Sequence, residues 1–336
     1  KNKKLILICL GLFILFFNLY FIFGFLVSKT KAFNEKNILF QSDCPLVIKV
    51  ISTWYMHRAE IHPLYKLVIS PAVFLAGNFI RSKIVTVLFV NSFFGSAGVV
   101  LAYIFFWLFS KNYLNSALLS IIFGLSMSQL FFGIVPNFPS LIICSLLTTY
   151  ILFFVSLSKK RLFFLVWVLA GIFSIGLAVI NFTQTLICFI VLIVTLSREK
   201  KTEFSNLSEI AGLIIIVFFL TASLAIIQTI LVHFQGGLFF LPAIFDNFYR
   251  YAGFLIFHKP LLVMAALAKH FFMVNFVAPL PGTFVMSKAL LPAVTFTTSW
   301  KYSIFGWMGL FLWLILLIGG IVKSFSFRQK IVPFFL

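Results

Sequence analysis

The sequence predicts an all-α polytopic membrane protein, and three observations lead there. Hydrophobic residues make up 62% of the 336 positions and charged ones only 10%, against about 45–50% and about 25% in soluble domains. The mean hydropathy is +1.14. The apolar residues fall into runs of the length a bilayer demands, about 20 residues for a core of about 30 Å. Soluble enzymes, disordered chains and secreted disulfide scaffolds are excluded, and the four cysteines form no CxxC pair.

Eight runs qualify: 5–27, 84–109, 116–134, 141–157, 163–180, 183–197, 209–231 and 304–323. A ninth segment, 62–80, is interrupted by Lys66 and Pro71. It reads either as a span or as an amphipathic helix at the membrane surface. The cations decide between the two, because each choice flips every later segment. With 62–80 left at the surface, Lys1, Lys3, Lys4, Lys111, Lys159, Lys160, Arg161, Arg198, Lys200, Lys201, Lys323, Arg328 and Lys330 all fall on one side, in short segments. That side is cytoplasmic by the positive-inside rule.

The expected architecture is therefore about eight transmembrane helices with a cytoplasmic N-terminus and a long first outer loop, 28–83, holding juxtamembrane helices. It divides into a transmembrane module over 1–231, a second outer loop over 232–303 with partly helical or re-entrant segments, and a C-terminal helix with the start of a further segment over 304–336. The chain begins at Lys1 and stops inside the apolar run 331–336, so an incomplete copy of a longer protein is expected. The formal charge of +19 reads as a signal of orientation, and no nucleic-acid partner is expected. Heavy use of Phe, Ile and Lys points to an AT-rich genome and a bacterial plasma membrane. No repeat of fixed period is evident, and the small residues of Asn91-Ser-Phe-Phe-Gly-Ser-Ala-Gly98 suit close helix packing.

Chemistry needs polar groups, and the seven acids are unevenly placed. Glu199, Glu203 and Glu209 belong to the cytoplasmic side, whereas Glu35, Asp43, Glu60 and Asp246 fall in the two outer loops. The densest cluster joins Gln41-Ser-Asp43-Cys to His57-Arg58-Ala-Glu60-Ile-His62-Pro-Leu-Tyr65. Asp43 reads as a general base or as a helix N-cap ahead of Pro45. Arg58, Glu60 and His62 read as a substrate-binding set or as a local ion pair positioning the next helix. His57, Glu60 and His62 could also ligate a metal, although their spacing matches no zinc motif.

In the second loop, Asp246-Asn-Phe-Tyr-Arg250-Tyr and His258-Lys259-Pro alternate polar and aromatic residues. Such aromatic residues bind sugars or lipid tails, and they also populate the membrane interface. Asn181-Phe-Thr forms an N-glycosylation sequon tight against a span, a placement that favours helix capping or site lining over modification. Gly-rich phosphate loops and nucleotide fingerprints are absent.

The order of these features resembles the GT-C glycosyltransferases over roughly residues 5–200. The features are one helix, a long outer loop with the early Asp43, then Arg58 and a His62-Pro-Leu-Tyr65 turn opening a juxtamembrane helix. That family includes protein O-mannosyltransferases and the lipid A aminoarabinose transferase. The resemblance implies an inverting transfer from a polyprenyl-phosphate sugar to an acceptor hydroxyl, with Asp43 as base. Arg58, Glu60, His62 and Asn137 are the substrate-binding residues expected within the resembling stretch, and Arg250, His258 and Lys259 of the second outer loop join them because the topology places these groups on the same side. Asn137 stands where many members carry an acid. No cofactor is expected, since the lipid-linked sugar is a substrate and membrane lipids are the other partners. The alternative is a transporter or lipid-linked-sugar flippase without transferase activity, a class that usually holds ionisable groups near the midplane.

Overall fold

The computed structural model describes residues 2–30, 33, 44–53, 62–200, 206–232, 261, 282–286, 292–296, 308, 311–312, 314–315 and 318–319. The described chain is helical apart from one hairpin. In order, the helices are α1 (Asn2–Ser28), α2 (Cys44–Ser52), α3 (Tyr65–Phe79), α4 (Lys83–Ser110), α5 (Tyr113–Leu125), α6 (Met127–Ile134), α7 (Pro139–Lys159), α8 (Phe164–Leu177), α9 (Val179–Lys200) and α10 (Asn206–Val232). Two strands, β1 (Gly282–Met286) and β2 (Pro292–Phe296), pair antiparallel within the segment expected to be partly helical or re-entrant. Their runs Thr-Phe-Val and Val-Thr-Phe carry the β-branched and aromatic residues that favour strands.

Among the described residues, α1, α4, α7, α9 and α10 are long and apolar enough to cross a membrane. Helices α5 and α6 together would supply a sixth crossing, bent by 63° at Ser126. The single run expected over 116–134 is thus two helices. Ser126 interrupts the backbone ladder there, with its hydroxyl returned to the Phe123 carbonyl at 2.6 Å. Helix α8 has 14 residues, about 21 Å of rise, and is shorter than the expected 163–180. Most of the expected span 304–323 lies outside the described residues.

Side-chain pairs give each helix its direction. Phe13 meets Phe93 and Phe17 meets Phe89, with ring centroids 5.3 and 5.1 Å apart, so α1 and α4 are antiparallel. Asn91 bonds Ser140 and Phe105 packs on Phe154, so α4 and α7 run in parallel. Thr149 and Thr185 pair α7 with a parallel α9, and Trp167 against Phe189 sets α8 antiparallel to it. Gly171 against Val217 then aligns α10 with α8. The bundle therefore has two ends. One gathers the chain around residues 28, 83, 135–139, 178 and 232, and the other gathers the termini near 3, 111, 160 and 200.

The segment 62–80 contains helix α3, and both ends of that helix lie at one end of the bundle. Lys4 lies over the Tyr113 ring at 5.3 Å, and Gly24 abuts the Ile134 carbonyl. The chain between α1 and α4 must therefore leave and return at the same end. Helix α3 is laid there: its first turn touches the end of α8, and Ile80 leads within three residues into α4. Its packing partners come from α2 and from the near ends of α4, α7 and α8, among them Val47, Val87, Leu141 and Leu177.

Small residues let the helices approach, as the Asn91–Gly98 stretch suggested. A Cβ on Gly95 would sit 3.1 Å from the Gly133 Cα, and one on Gly133 only 2.7 Å from the Tyr20 ring. Asn91 does more than make room, because its amide donates to the Phe132 and Gly133 carbonyls at 2.9 and 2.8 Å. Those carbonyls lie at the C-terminal end of α6, where the helix leaves its last acceptors without internal donors.

Candidate functional site

The His62-Pro-Leu-Tyr65 turn is the best-defined part of the expected site. It is docked by three separate elements. The Leu64 N–H donates to the Gly176 carbonyl at 2.7 Å, using the break where Ala178 turns extended between α8 and α9. A Cβ on Gly176 would fall 2.7 to 2.9 Å from Leu64 side-chain atoms, so only glycine lets the turn settle there. From α10, Gln228 donates its Nε2 to the Pro63 carbonyl at 2.5 Å and accepts from the Leu67 N–H at 2.7 Å. Its amide thus satisfies the turn on both sides of the helix start, where N–H groups lack partners.

His62 is half-buried at this corner. Its Nδ1 lies 2.6 Å from the Leu177 carbonyl, and a carbonyl can only accept. Nδ1 therefore carries a proton there. The ring stacks on Phe138 at 4.6 Å and 16°, while Tyr65 meets the same phenyl edge-on at 4.7 Å. Asn137, next to Phe138 in the connection from α6 to α7, caps that residue's N–H with its Oδ1 at 2.9 Å. Two of the expected site residues, His62 and Asn137, thus both contact Phe138, His62 at its ring and Asn137 at its backbone N–H. Asp43, Arg58, Glu60, Arg250, His258 and Lys259 lie outside the described residues. So does His57 of the alternative metal set, and α2 begins at Cys44, one residue after Asp43.

Lys66 adds a feature that the sequence showed only as an interruption. It is 4% exposed, and its ammonium donates to the Val50 carbonyl at 2.5 Å, to that of Ile51 at 3.4 Å and to that of Thr53. The first two belong to the last turn of α2, where the helix dipole is negative, and Thr53 follows that helix directly. The lysine of α3 therefore caps α2 and locks the two surface helices together. Burial lowers its pKa from 10.5 to about 8.

Asn181 is 6% exposed, and its amide donates to Ser145 at 3.1 Å between α9 and α7. The sequon asparagine is thus a buried bridge between helices. No group of three His, Cys, Asp or Glu side chains is placed to hold a metal ion among the described residues. Compared with known proteins, the chain matches no family model, no curated protein and no solved structure.

Proposed function

We propose that the chain is a membrane glycosyltransferase of the GT-C type, transferring a sugar from a polyprenyl-phosphate donor to an acceptor hydroxyl on the extracytoplasmic face. The observation that carries this reading is the surface platform of α2 and α3. The loop after the first span is built onto one end of the bundle through His62–Lys66, opposite the cation-rich end. Such a platform at headgroup depth suits a substrate whose reacting phosphate sits at the membrane surface.

In this reading the cation-rich end faces the cytoplasm of a bacterial cell, and Asp43 takes the acceptor proton. A hydroxyl is a poor nucleophile, so a carboxylate in hydrogen-bond reach helps it attack the anomeric carbon. As the new glycosidic bond forms, the bond from that carbon to the phosphate oxygen breaks with inversion. The electron pair leaves on the polyprenyl phosphate, whose charge Arg58, Arg250, Lys259 and a protonated His258 would stabilise. His62 and Asn137 then border the substrate with Glu60, and no cofactor takes part.

Asp43→Asn tests the assignment in membranes containing a polyprenyl-phosphate sugar. The expected result is transfer reduced by about 10²-fold or more with protein abundance unchanged. Full transfer by the variant would remove Asp43 from the chemistry, and loss of the protein itself would favour the capping role. One observation favours a second reading, a lipid-linked-sugar flippase: the 63° break between α5 and α6 resembles the discontinuous helices that line transport sites. Transfer of label to an acceptor separates the two.

A further inference from the structure

A cavity of 170 Å³ opens at the junction of α3 and α4, lined by Ser52, Gly77, Arg81, Lys83 and Thr86 with Val73 and Ile80. Its polar side has two cations and two hydroxyls. Among the described residues no carboxylate lies at this end of the bundle, since Glu199 and Glu209 belong to the opposite helix ends. Helix α4, 28 residues long, starts at Lys83, so its N-terminal amides add partial positive charge to the same wall. The site thus presents concentrated positive charge in a concave, partly apolar setting.

Its surroundings show which anion fits. On α3, Phe74 lies about 60° round the helix from the cavity-lining Gly77 and is 71% exposed, a ring that water would penalise and hydrocarbon would cover. A ligand with a charged head and an apolar tail satisfies both surfaces. The volume suits a phosphate with its ester oxygen, given that a water molecule's share of liquid is about 30 Å³. A phosphate monoester carries about −1.5 to −2 charge near neutral pH, matching Arg81 and Lys83 together.

We propose that this cavity binds the anionic phosphate headgroup of a membrane lipid, with the start of the lipid chain lying against Phe74. Arg81 donates to the phosphate oxygens as a fork and Lys83 as a point charge. Ser52 and Thr86 border the head. None of the residues lining the cavity belongs to the proposed transfer site.

The test uses the purified full chain in phosphatidylcholine nanodiscs, titrated with phosphatidic acid or with inorganic phosphate and read by native mass spectrometry and thermal unfolding. Two variants remove the site by different routes. Arg81→Ala with Lys83→Ala deletes the charge. Gly77→Leu fills the cavity, and an added Cβ there meets nothing within 4 Å, so the fold has room for it. The expected result is phosphatidic acid binding weakened about tenfold in each variant, little response to inorganic phosphate, and unchanged binding in Asp43→Asn. Wild-type binding by both variants, or inorganic phosphate stabilising as strongly as the lipid, would overturn the proposal.

Discussion

At the scale of single residues, Lys66 shows how much a buried cation can do without entering chemistry. Its ammonium closes the C-terminus of α2 on three carbonyls. Lys66→Met leaves those acceptors without that donor, which should destabilise the protein by about 1–3 kcal/mol, measured by unfolding in detergent. The pH dependence has a definite sign. Because the folded pKa is lowered to about 8 from 10.5, the unfolded chain binds more protons between those values. The contribution of Lys66 to stability therefore rises with pH across that window and is constant below it. Lys66→Met should lose that rise, and equal pH slopes in the two proteins would refute it. In the sequence Lys66 marked only an interruption of an apolar run. Its partners precede it by 13 to 16 residues, a separation no helical spacing reveals. His62 was legible as a candidate from its polar neighbours. Gln228 and Gly176, which hold its turn in place, lie more than a hundred residues away in apolar runs and carried no local signal.

At the scale of elements, the long spans were legible because twenty apolar residues in a row have few other fates. For α3 the cation count favoured a helix that stays at one side, and both of its ends do contact the same end of the bundle. The bend between α5 and α6 was not foreseen, since one serine in an apolar run leaves hydropathy almost unchanged. Nor was the β1–β2 hairpin, which falls in a loop expected to hold partly helical or re-entrant segments. The break between α8 and α9 has a direct test. Gly176→Val would place side-chain atoms on Leu64, and overpacking of this kind costs about 1–3 kcal/mol. Thermal unfolding should show that loss. Gly77→Val, with open space at its Cβ, should not, and equal effects would mean that the turn does not depend on this contact.

At the scale of the whole molecule, charge and direction agree. The helix directions bring Lys3, Lys4, Lys111, Lys159, Lys160 and Arg161 to one end, the grouping that the positive-inside rule requires of a cytoplasmic face. Lys111 and Lys160 serve a second purpose there, adopting φ of 54° and 48° as left-handed helix ends. Impermeant thiol labelling of a cysteine-free background should mark Ser82→Cys from outside intact cells, and Lys160→Cys only after the membrane is opened. The reverse pattern would invert the molecule. Function was less legible than fold, because most of the proposed site comes from two loops whose chemistry depends on a few polar residues far apart in sequence. The central claim is sugar transfer from a lipid-phosphate donor, and its most direct measurement follows a labelled polyprenyl-phosphate sugar in membranes carrying the folded chain. The account predicts label appearing on an acceptor with release of polyprenyl phosphate, both absent from membranes lacking the protein; donor left intact beside correctly folded protein and a full range of acceptor hydroxyls would contradict it.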